Sequence, residues 1–138
     1  MAIATALRQL LLADTDVSEA VGVKIHPVVI PQNTSFPAIA IELVSTEGML
    51  TKDFVNLADT QTVSLKVASH NYDEAVSIAQ KVRAVLDDLH GIQQSGVRIC
   101  DTFFRNEMDG VYDNDSNLFH RIITYEISIH KDYDLQST

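Results

Sequence analysis

Five histidines, a single cysteine and an acid-rich run are the groups of this 138-residue chain that could carry chemistry. His26, His70, His90, His120 and His130 show no His-x-x-x-His or His-Glu-x-x-His spacing, so no helix face offers two metal ligands. His120 and His130 are ten residues apart, about 33 Å along an extended strand, too far to share one ion. Cys100 could become a thiolate nucleophile beside a histidine, but no oxyanion loop or family signature accompanies it, and a structural cysteine is the simpler reading. Gly-x-Ser-x-Gly, phosphate-binding glycine loops and dinucleotide fingerprints are absent from the sequence. The residues therefore predict neither a catalytic centre nor a cofactor or metal site.

The acidic run holds Glu107, Asp109, Asp113 and Asp115. Asp113, Asp115 and Asn117 match the first three oxygen-donor positions of an EF-hand loop. The sixth position is Leu118 where the turn needs Gly, and the twelfth is Thr124 where a bidentate Glu belongs. A solvated acidic hairpin is the better reading.

A second run, residues 47–59, joins two strand-like segments and is long for a hairpin connection, whose usual length is about 2–5 residues. It carries Met49, Leu50, Phe54, Val55 and Leu57, a high apolar share for an exposed tip. Either it folds back on its own sheet or it packs on a neighbouring subunit. The second is favoured because Met and Phe are enriched in contacts between proteins.

The elements that must position these runs follow from periodicity. Ile3, Leu7, Leu10 and Leu11 share one helical face, which predicts a helix over residues 2–13, and Val17, Ala20 and Val21 sit on a single capped turn. Residues 23–26 form a short extended piece, and Pro31 and Pro37 frame a loop. Alternation predicts strands over 38–44, 60–70, 97–107 and 118–131. A helix is expected over 72–89, with Asn71 or Asp73 as cap and Gly91 as stop, since Ala75, Ile78, Ala79, Val82, Val85, Leu86 and Leu89 recur at three and four. The sum is one α+β domain over 1–131, an antiparallel or mixed sheet of about four strands with helices on one face, and a polar tail over 132–138.

Composition narrows the function classes. Nineteen acidic against ten basic residues give a net charge of -9, which argues against a surface that tracks nucleic-acid phosphates. A lone cysteine suits a reducing cytoplasm. The N-terminus has no signal-peptide pattern and no stretch approaches the length of an apolar membrane span, so neither export by that route nor membrane association is expected.

Several short motifs recur in a familiar order. Ala6-Leu7-Arg8 and Leu10-Leu11-Leu12 come first, then Val21-Gly22, Lys24-Ile25-His26-Pro27, Pro31-Gln32 and Phe36-Pro37-Ala38-Ile39. The helix from Tyr72-Asp73-Glu74-Ala75 to Leu86 follows, and His120-Arg121 opens the last strand. Over nearly its whole length the chain resembles the tail-completion, or tail-terminator, proteins of long-tailed bacteriophages and prophages. That resemblance implies a non-enzymatic virion protein at the tail–head interface, built in the host cytoplasm. It implies a homo-oligomeric, commonly hexameric ring on the head-proximal end of the tail tube that ends polymerisation and docks the head. Its partners would be the tail tube protein and the head–tail connector proteins, with DNA passing through unbound. Met49, Leu50, Phe54, Val55 and Leu57 would then face a subunit or the tube, and Glu107, Asp109, Asp113 and Asp115 the lumen or rim. A head–tail joining (neck) protein is the near alternative. A small ligand-binding domain or enzyme using His120, Glu126 or Cys100 is the distant one.

Overall fold

The computed structural model describes residues 2–31, 33–50 and 56–130. Helix α1 (Ala2–Ala13) buries Ile3, Leu7 and Leu11, spaced by four, and α2 (Thr15–Val21) follows at once. The cap of α2 is Asp14, whose carboxylate accepts the Val17 N–H at 3.0 Å. Strand β1 (Ile25–Pro27) is held under α1 by Arg8, whose Nε donates to the Ile25 carbonyl at 2.8 Å. Strands β2 (Ala38–Leu50) and β3 (Asn56–Ser69) form a long hairpin, and α3 (Tyr72–Leu86) is capped by Asn71 Oδ1, which accepts from Glu74 N. The chain ends in β4 (His90–Gln94), β5 (Val97–Asp109) and β6 (Phe119–His130).

These strands make one six-stranded sheet, ordered β1-β2-β3-β6-β5-β4, in which only β1 and β2 run parallel. Alternation sends Ile39 and Ile41, then Val63, Leu65 and Val67, then Ile123, Tyr125 and Ile127 to one face. The buried stripe of α3 (Ala75, Ile78, Ala79, Val82, Leu86) and that of α1 cover this face and complete the core. The mixed sheet and the single helical layer are as the periodicity predicts.

Three expectations are corrected. The sheet has six strands rather than about four, because β1 joins one edge and residues 90–94, where periodicity predicts no element beyond the helix stop, form β4 at the other. Helix α3 stops at Leu86 rather than Leu89, because Asp87 turns extended at φ -65°, ψ 134°. Gly91 is accordingly no helix stop and sits within β4 at φ 58°. The expected long connection is mostly strand: the β2–β3 ladder runs on through Thr46↔Gln61, Gly48↔Asp59 and Met49↔Ala58. The predicted polar tail, 132–138, lies outside the described residues.

The helix ends where it does because Thr102, buried in β5, takes its last groups. Its hydroxyl donates to the Leu86 carbonyl at 2.5 Å and accepts the Leu89 N–H at 3.0 Å. Thr102→Val keeps the shape and strands both partners, each of which costs about 1–3 kcal/mol when buried without a bond. The urea midpoint should fall by that stability loss with an unchanged slope, and an unmoved midpoint would refute this account of the helix end.

Candidate assembly surfaces

The acidic run is divided by the fold. At the distal end of β5, Arg105 is a bulge between the pairs Phe104↔Tyr125 and Asn106↔Thr124. One extra residue reverses the alternation, so Glu107 and Asp109 point to the helix side of the sheet, opposite Ile123 and Arg121. There Arg121 donates to Glu107 and to Asp109, each at 2.6 Å, and the Tyr72 hydroxyl donates to Asp109 at 3.0 Å. Arg83 of α3 lies 3.6 Å from Glu107, bonds Asp87 at 2.9 Å and stacks its guanidinium 3.6 Å from the Phe104 ring centroid. The Tyr125 hydroxyl reaches the same Asp87 at 2.5 Å. These bonds hold Asp109 below the usual carboxylate range, Arg121 first and Tyr72 second, and raise the Arg121 and Arg83 guanidinium groups. Two of the four predicted acidic residues are thus already neutralised by arginine.

The other two stand in a turn. Asp113 and Leu118 bridge each other, and the Asp113 carboxylate accepts from the Ser116 hydroxyl at 3.0 Å and from the Asp115 N–H at 3.0 Å. Ser116 is the leading reason that the Asp113 carboxyl is also held low. Asp115 is exposed beside it. Gly110 begins this excursion where no side chain fits, since a Cβ there would lie 2.9 Å from that of His120.

Both depressed carboxyls stabilise the fold above the ordinary carboxylate range, and that contribution is lost as pH falls through their lower folded values. Wild-type urea midpoints should hold from neutrality to about pH 4 and then drop. The double variant Asp109→Asn/Asp113→Asn should show a shallower acid slope, and identical slopes would refute the assignment.

The described part of the apolar run closes the β2–β3 ladder. Met49 pairs with Ala58, Leu50 with Asn56, and Leu57 is the bulged residue between those pairs; Phe54 and Val55 lie outside the described residues. Residues 47–50 and 56–59 are therefore at the opposite end of the sheet from residues 107–115, since β3 begins beside the end of β6 and β5 ends beside its start.

The face away from the helices carries a feature that the sequence did not announce. Two concavities, of about 330 Å³ and about 490 Å³, meet at Lys66 and His120 and form one trough. Val28 and Val29 line one end, Met108 and Val111 the other, all strongly exposed. The signal available was Val28-Val29-Ile30, an apolar triplet between two prolines, which lines the trough after the Val28 N–H has bonded the Ile41 carbonyl of β2 at 2.7 Å. His120, Glu126 and Cys100 do not converge here: His120 and Glu126 are about 20 Å apart along β6, and Cys100 is a bulge of β5. Among the described residues no cluster of three His, Cys, Asp or Glu could hold a metal ion, and no helix is long and apolar enough to cross a membrane.

The family model described as "Tail completion protein gp17" matches residues 5–130. A solved chain from "Virion of native gene transfer agent (GTA) particle" shares the fold at TM-score 0.75 and 15% identity, over 94% of this chain and 96% of that one. No curated protein sequence matches the chain.

Proposed function

The chain belongs to the tail completion protein gp17 family, and we propose from that premise that it is a ring-forming structural protein on the head-proximal end of a phage-type tail tube. It ends tube polymerisation and offers the docking surface for the head. The observation that carries this reading is the family match over residues 5–130, nearly the whole described chain. The similarity to a chain of a gene transfer agent virion supports it at the level of fold.

Physical features supply a mechanism. A ring has two different faces: one complements the end of the tube, and the other lacks the surface that would recruit a further tube ring, so growth stops. The apolar tip at Met49, Leu50, Phe54, Val55 and Leu57 is the element we assign to a neighbouring subunit or the tube, and the ring is a hexamer. With Glu107 and Asp109 neutralised, the turn carrying Asp113 and Asp115 is the stronger candidate for a rim that keeps a passing polyanion from adhering. The tail tube protein and the connector proteins are its neighbours, and it stands at the tail–head junction of the virion.

Electron microscopy of particles made without the protein tests this. Overlong, irregular tubes are expected. Tails of normal length left unattached to heads would overturn the terminator role in favour of head–tail joining.

A further inference from the structure

Two strand edges of the sheet are left without a partner among the described residues. Strand β1 covers the outer side of β2 only at residues 39–41, which leaves residues 42–48 open. Strand β4 covers β5 only at residues 97–101, and Leu89 takes the Thr102 N–H, which leaves residues 103–109 open. An open edge is a row of unpaired N–H and C=O groups, and soluble proteins guard such rows with charge, proline or a covering element. Here both rows carry charges but also expose large apolar side chains: Val44 is 57% exposed on β2, and Phe103 and Met108 are 52% and 55% exposed on β5.

We propose that copies of the chain join edge to edge, residues 103–109 of one pairing antiparallel with residues 42–48 of the next. This rests on the ring reading above and names the contact that builds the ring. Three observations choose a second copy as the occupant. The edges stand on opposite borders of the sheet, so the contact is head-to-tail and each copy keeps one edge for the next. Strand β2 runs antiparallel to β3, β3 to β6 and β6 to β5, so β5 beside the next copy's β2 continues the same alternation. The charges are compatible: β2 offers Glu42 and Glu47, and β5 offers the exposed Arg105, which lies 3.5 Å from Glu126 of its own copy, while Glu107 and Asp109 are held by Arg121.

The registers also set the stagger. Asn106, the middle of the β5 edge, lies in the row Asn106↔Thr124↔Ser64↔Glu42, whereas the middle of the β2 edge is Ser45. Because Val44 is a bulge, Ser45 lies opposite Thr62, two rows from Ser64, so bringing the middles together slides each copy about 7 Å along its neighbour. A closed ring absorbs such a slide by tilting its strands against the ring axis.

In that register Val44 falls opposite Glu107 of the neighbouring copy, one position from its Met108. Chains carrying Cys100→Ser with Val44→Cys, Met108→Cys or both would be built into particles in producing cells, then treated with a bismaleimide of about 10 Å reach, which tolerates a slip of about three residues. The double variant should give a ladder of covalent oligomers ending at the ring number, and each single variant only monomer. Dimers from a single variant, or no ladder from the double variant although it is present in particles, would overturn the edge pairing and leave the virion role standing. Absence of the protein from particles would overturn both.

Discussion

Tail tubes assembled with a Leu50→Asp/Phe54→Asp variant are expected to grow to irregular, extended lengths while the variant itself stays folded. Leu50 closes β2 opposite Asn56, at the apolar tip assigned to a subunit or tube contact, and Phe54 lies five residues or fewer from either strand. Contact residues of this kind, truncated or charged, typically cost 2 kcal/mol or more, so capping affinity should fall by at least about 30-fold. A carboxylate forced into a desolvated contact without a partner adds to that loss. The fold control is the urea midpoint, which should move by no more than about 0.5 kcal/mol in stability, as for surface substitutions remote from the core. Tubes of normal length capped by the variant would sink the assignment of this tip, and a collapsed midpoint would show that the tip serves the fold instead.

The parts of this molecule that the sequence made legible are those where one periodicity decides. Helix α3 could be read from its stripe of Ala75, Ile78, Ala79 and Val82, and β6 from Ile123, Tyr125 and Ile127, because burial on one face leaves a regular mark. The end of α3 was not legible, since Val85 and Leu89 continue the helical spacing and only a threonine sixteen residues beyond Leu86 competes for its carbonyl. Strand β4 was missed for the opposite reason. His90–Gln94 contains one large apolar residue and is an edge, and its only local sign is Ser95-Gly96, where φ of 51° and 78° make the two-residue turn into β5. The extended hairpin was read as loop because past Val44 the ladder is held by backbone bonds between mixed side chains. The acidic run does span the β5–β6 hairpin, but the bulge at Arg105, which hands Glu107 and Asp109 to Arg121, leaves no mark in residue spacing.

Tyr125 is where the core and the charged network meet, and its removal should have the largest effect on stability. The ring is fully buried in the centre of the sheet, edge-on to Phe104 with centroids 6.0 Å apart. Its hydroxyl donates to Asp87, the residue that ends α3 and holds Arg83. Burial first, and the Asp87 bond second, push the Tyr125 hydroxyl well above its ordinary titration range. Tyr125→Ala leaves a cavity between α3 and β6 and should cost about 3–5 kcal/mol, a large part of the 5–15 kcal/mol typical of a whole domain. Tyr125→Phe keeps the ring and leaves Asp87 bonded to Arg83, so its loss should be about 1.5–3 kcal/mol, the range for one hydrogen bond to a charged group. Urea unfolding of the two variants beside the wild type separates the contributions. If Tyr125→Phe were as damaging as Tyr125→Ala, the hydroxyl and not the packed ring would be what fixes α3 to the sheet.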